Sequence, residues 1–128
     1  QNHINADLEQ LYRRVVFNVL VGNRDDHLRN HGCLRDKTGW RLAPAFDMNP
    51  NLYKQEHALT LDGNIAAPSM RAVRDTAQDF YRLTRVQADA IEKQVTDVVK
   101  EWQARAEHLN MPRFEVQQMT KAFLSGLP

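Results

Sequence analysis

Apolar residues near the start of the chain recur with helical rather than alternating spacing. Leu8, Leu11, Tyr12, Val15 and Val19 stand at offsets of three, four, seven and eleven, one face of a helix with 3.6 residues per turn. The spacing predicts a helix over residues 6–21. Asn5 or Asp7 can serve as its N-cap, with Gln10 three residues after Asp7 as in a capping box, and Gly22 ends it in the left-handed conformation. From Gly22 to His31 the periodicity is lost in a polar run with Leu28 as its one apolar anchor. Residues 32–42 then read as a hairpin: Gly32-Cys33-Leu34-Arg35, a polar turn Asp36-Lys37-Thr38-Gly39, and Trp40-Arg41-Leu42, closed by Pro44. Within it Cys33 is expected to be a small core residue.

Residues 48–68 are rich in Asn, Gly and Pro and predict an irregular excursion holding one short strand, His57 to Leu61. Helical periodicity then returns. Ser69 can cap a helix over 70–81 that turns Met70, Val73, Ala77, Phe80 and Tyr81 inward. Thr84 can cap the longest element, 85–109, where Ala88, Ile91, Val95, Val98, Trp102, Ala106 and Leu109 form an apolar stripe. Asn110 and Pro112 restart the chain, and Phe114, Met119 and Phe123 suit a last helix ending near Gly126. The expected fold class is mainly α, one domain with a small β-hairpin.

Composition narrows the partners more than the chemistry. With 128 residues, 42% of them hydrophobic and 26% charged, the chain suits a single core that buries roughly two thirds of the unfolded surface. Seventeen basic against sixteen acidic residues give a net charge of +1, so neither direct nucleic-acid binding nor membrane attachment is expected from bulk charge. One cysteine excludes an intrachain disulfide, and no secretory signal core or long apolar run is present, which predicts a cytoplasmic protein. The chain begins at Gln1, enters helical sequence at once and carries its main motif by residue 25; it is expected to be a piece of a longer polypeptide.

That motif lies in the polar run. Asp25 is followed at plus five by Asn30, and Asp47 emerges from an apolar segment beyond the hairpin. Phosphoryl transfer needs a carboxylate to orient the attacking hydroxyl and hard oxygen ligands to keep Mg2+ on nucleotide phosphates, and these three residues are the right types. The hairpin would return the chain so that Asp47 meets Asn30, with Phe46 as its anchor in the core. Asp26 competes for the role of base, but it stands only four residues before Asn30. Two other readings stay open. His27 and His31, four apart beside the Asp pair, could form the metal cluster of a phosphohydrolase, although that requires a helix where Asn30 and Gly32 disfavour one. The chain could also be an interaction domain without chemistry. His3, His57 and His108 have no partners at recognisable spacing and read as surface residues.

The run Gly22-Asn23-Arg24-Asp25-Asp26-His27-Leu28-Arg29-Asn30, followed by Trp40-Arg41-Leu42-Ala43-Pro44-Ala45-Phe46-Asp47, resembles the C-terminal part of HipA-like serine/threonine kinases, toxins of bacterial toxin-antitoxin pairs. The match holds at Gly22, Asp25, His27 and Asn30, and again at Arg41, Leu42, Pro44 and Asp47, with Arg29 in place of the family's usual Lys. The resemblance implies the helical C-lobe of a protein-kinase-like fold that uses ATP and Mg2+. Asp25 would be the catalytic base and Asn30 and Asp47 the Mg2+ ligands, while His27 and Arg29 would shape the loop or neighbour the phosphates. The partners implied are the protein's own N-terminal kinase lobe, a DNA-binding antitoxin and a protein substrate such as a translation factor or an aminoacyl-tRNA synthetase. Neither a Gly-rich phosphate cover nor its companion Lys segment occurs in the chain. The isolated fragment is therefore expected to bind nucleotide weakly and to transfer little or no phosphate.

Overall fold

The computed structural model describes residues 2–23, 30–51 and 69–123. They form α1 (Asn2–Val21), a hairpin of β1 (Cys33–Asp36) and β2 (Gly39–Leu42), α2 (Met70–Tyr81), α3 (Arg85–Val99), α4 (Trp102–His108) and α5 (Arg113–Thr120). The mainly helical class with one small hairpin is what the periodicities predict. The expected strand at 57–61 and the loop at 24–29 lie outside the described residues, and the last helix ends at Thr120 rather than near Gly126.

The second half of α1 is the centre of the core. Tyr12, Val15, Val16, Val19, Leu20 and Val21 are buried against Met70, Val73 and Ala77 of α2, Leu83, and Ala88, Ile91, Val95 and Val99 of α3. A helix packed on several sides must be apolar nearly all round, which explains the run Val15-Val16-Phe17 and Val19-Leu20-Val21 around the single polar Asn18. Tyr12 meets the Tyr81 ring edge-on, with centroids 5.2 Å apart. Burial, reinforced by the nearby Glu92 carboxylate, pushes its phenol up to about 12, because both disfavour the phenolate. On the surface, the Arg74 guanidinium of α2 grips the Glu92 carboxylate of α3 with two donors, Nε at 2.8 Å and Nη2. No helix among the described residues is long and apolar enough to cross a membrane.

Two caps are found where the sequence places them. The Ser69 hydroxyl accepts from the Ala72 N–H at 3.3 Å. Thr84 and Gln87 form a reciprocal capping box, the Thr84 hydroxyl accepting from the Gln87 N–H at 3.2 Å and the Gln87 side chain accepting from the Thr84 N–H at 2.9 Å. Thr84→Ala should lower the unfolding free energy by about 1 kcal/mol, read as a reduced urea midpoint; an unchanged midpoint would mean that the exposed box contributes nothing.

Other expectations are corrected. The first helix begins at Asn2 rather than near residue 6, so Asn5 and Asp7 are interior positions and not caps; the Asp7 carboxylate instead accepts the Leu42 N–H at 3.0 Å. The element expected at 85–109 bends at Lys100–Glu101, where the Glu101 N–H reaches Val98 O at 3.2 Å in a tightened turn. Val95, Val99, Trp102 and Ala106 keep helical spacing through the bend, which hides it from a periodicity argument. Just beyond it Trp102 stacks on Phe123 with centroids 4.4 Å apart. Val99 faces the core while Val98 is 68% exposed. Leu109, Phe80 and Phe114 are also exposed, because each lies beyond the strip that a neighbouring helix covers. Pro112 stands at the N-cap of α5. Cys33 is exposed and not a core residue, since both faces of β1 are open to solvent.

Candidate functional site

The site is built where α1 ends. Gly22 has φ +72°, and a Cβ there would lie 2.8 Å from the Ala122 carbonyl oxygen and 2.9 Å from the Ala122 Cβ. Glycine is thus required twice, by the left-handed turn and by the close approach of the chain after α5. The next residue folds back on the helix: the Asn23 N–H donates to Asn18 O at 2.8 Å. Its side-chain amide donates to Asn18 Oδ1 at 3.0 Å and, more weakly, to the Asp47 carbonyl at 3.5 Å. Asn18 and Asn23 are each 2% exposed, so this is a buried polar clasp with its hydrogen bonds made inside the protein.

The hairpin approaches from the other side. Cys33 to Asp36 pair with Gly39 to Leu42 in antiparallel register, and the Ala43 N–H extends the pairing to Gly32 O at 2.8 Å. In the turn, the Thr38 hydroxyl and N–H donate to the Asp36 carboxylate at 2.6 and 2.7 Å and hold its carboxyl below the usual range. The Arg14 guanidinium, buried on α1, donates to Ala43 O at 2.6 Å as the chain leaves β2. The segment then runs through Pro44 to Asp47, whose φ of 55° places it in the left-handed region that Asp tolerates better than most residues. The Asn49 side-chain amide donates to Asp47 Oδ1 at 3.1 Å, and the Asn51 N–H returns to Gly22 O at 2.8 Å.

Asn30 and Asp47, seventeen positions apart, line one narrow crevice with Arg14, Asn18, Asn23 and His31 and the apolar Ala45, Phe46 and Met48. Asn30 is buried and Asp47 is exposed, so the crevice runs from the interior to a carboxylate that solvent can reach. Asp25, Asp26, His27 and Arg29 lie outside the described residues. Phe46 lines the crevice but is 47% exposed and is not the core anchor expected; Arg14 and Asn23 hold the segment through its backbone instead. Sequence reasoning read Asp7 only as a cap and gave no role to Arg14, Asn18 or Asn23. The available signal was Asn18, a polar residue inside an otherwise apolar run.

A family described as the HipA-like C-terminal domain matches residues 1–121. The chain belongs to this family. The HipA-like match covers the described site and every described helix. Two proteins of Sinorhizobium fredii (strain NBRC 101917 / NGR234) are similar to the chain. One, named "Putative kinase Y4dM", is 29% identical over 115 residues, 83% of this chain and 28% of that protein. The other, named "Putative kinase Y4mE", is 27% identical over 99 residues, 73% of this chain and 23% of that protein. The chain spans about a quarter of the length of these curated relatives. Family and relatives together support a HipA-like kinase domain.

Among the described residues no three His, Cys, Asp or Glu side chains are grouped to hold a metal ion. The donors in the crevice are of another kind, the amide of Asn30 and the carboxylate of Asp47. Two hard oxygen ligands are too few for a closed protein cage, but they suit Mg2+, which is usually held by one or two side chains and by substrate phosphates.

Proposed function

We propose that this domain is the C-terminal lobe of a HipA-like serine/threonine protein kinase, a cytoplasmic toxin of a toxin-antitoxin pair that transfers the ATP γ-phosphate to a protein hydroxyl. The observation that carries the proposal is the meeting of Asn30 and Asp47 in one crevice through the return of the hairpin. In this reading the Asn30 amide oxygen and the Asp47 carboxylate would hold Mg2+. When bound, the ion would supply positive charge against the nucleotide phosphates. Asp25 would accept or orient the proton of the attacking hydroxyl, at the spacing from Asn30 that such loops use. Burial of Asn30 and the backbone ties of Asp47 hold the two donors ready before substrate arrives, the condition under which positioned dipoles and charges lower a barrier most. His27 and Arg29 would shape the loop or neighbour the phosphates. The phosphate cover and its Lys would come from an N-terminal lobe, the other half of the positioning. By family resemblance the remaining partners are a DNA-binding antitoxin and a protein substrate, such as a translation factor or an aminoacyl-tRNA synthetase.

The test is calorimetric titration of the full-length protein with ATP at several Mg2+ concentrations. Wild type should bind ATP more tightly as Mg2+ rises, and Asp47→Ala should lose that dependence, with affinity at saturating Mg2+ falling at least about tenfold. ATP binding that ignores both Mg2+ and the Asp47 substitution would refute the assignment.

A further inference from the structure

The segment that carries Asp47 is tied to α1 at several points by polar residues along one side of the helix. Asp7, Arg14 and Asn18 stand at offsets of seven and eleven, which brings all three within about 40° of one another around the helix axis. Asp7 takes the Leu42 N–H, Arg14 gives to Ala43 O, and Asn18 holds Asn23, whose amide gives to Asp47 O. The last tie falls on the residue with the left-handed backbone.

We infer that Asn23, held by Asn18, is a positioning residue: its side-chain amide, donating to the Asp47 carbonyl, sets the backbone conformation that presents the Asp47 carboxylate to metal-bound nucleotide. The inference rests on the kinase reading above and deepens it. At 3.5 Å the Asn23–Asp47 contact is longer than an ordinary N–H···O hydrogen bond, and contacts of this kind in unloaded sites often tighten when substrate binds. The Asn18 contact at 3.0 Å and the near-complete burial of both side chains keep the donor aimed. An Asn23→Asp side chain would have nearly the same shape, yet it would turn a carboxylate oxygen toward the Asp47 carbonyl in place of a donor. The amide of Asn18 can rotate to satisfy the new carboxylate; the Asp47 carbonyl cannot.

The experiment compares full-length wild type, Asn23→Asp, Asn18→Ala and Asp47→Ala, reading the Mg2+ concentration that half-saturates ATP binding, the ATP affinity at saturating Mg2+ and the melting temperature. Asn23→Asp should raise the half-saturating Mg2+ about tenfold, the scale of residues that orient a metal ligand, with ATP affinity at saturating Mg2+ nearly restored. Asn18→Ala should raise it in the same direction by about threefold and decides the matter if Asn23→Asp does not fold. A merely structural role would lower the melting temperature and leave the Mg2+ midpoint of the folded protein unchanged, which would overturn the inference. Were Asp47→Ala itself to match wild type, the kinase reading would fall. If Asp47→Ala loses binding while Asn23→Asp and Asn18→Ala match wild type, only the positioning role falls.

Discussion

Exchanging Asp25 for Asn in the full-length protein should slow phosphoryl transfer by roughly two to four orders of magnitude, the usual range for a positioned general base, with ATP affinity within about threefold of wild type. The two side chains have nearly the same shape, so the substitution removes a proton acceptor and little else. The amide cannot take the proton of an attacking hydroxyl, and the loss should fall on the rate constant rather than on binding. Asp26→Asn is the informative companion. Its carboxylate lies one position nearer to Asn30 and should matter far less. A large loss in Asp26→Asn with a near-normal Asp25→Asn would move the base to the neighbouring residue, and wild-type rates in both would remove the base from this loop.

The second large effect concerns stability. Gly22→Ala should destabilise the protein by about 3 kcal/mol, combining the strain of a left-handed alanine with the overpacking of a Cβ against backbone. The φ of +72° and the 2.8 Å approach to the Ala122 carbonyl oxygen act at the same atom. A lower urea midpoint at unchanged slope is the expected reading. Adding Ala122→Gly should recover only part of the loss, because it removes the methyl contact at 2.9 Å but not the carbonyl. A midpoint unchanged in Gly22→Ala would show that neither the left-handed turn nor the Ala122 contact has weight.

How far the sequence could be read follows from what each feature depends on. Helix starts at Ser69 and Thr84 are local, decided by one side chain and the next turn, and they were legible. The hairpin was legible for the same reason, and its antiparallel return accounts for Asn30 and Asp47 lining one crevice. Features set by tertiary neighbours were not. Val98 and Val99 are equally apolar, and only the position of α1 decides which is buried. The bend at Lys100 keeps the apolar phase and leaves no mark on periodicity. Asp7 looks like a cap until the strand that uses its carboxylate is known. Arg14 and Asn23 bind carbonyl groups, and a carbonyl is present at every residue, so composition cannot point to the partner.

The contact of Gly22 with Ala122 has a consequence for the order in which the domain is made. During synthesis α1 emerges first, whereas Ala122, which closes over its end, is added a hundred residues later. The core partners of α1 in α2 and α3 emerge in between. A nascent chain can thus bury most of that core while the turn leading into the Asp25 loop is still uncovered on one side. The covering of that turn by Ala122 is then among the last contacts the emerging chain can make, and a chain cut short before α5 would keep its main core and lose that support.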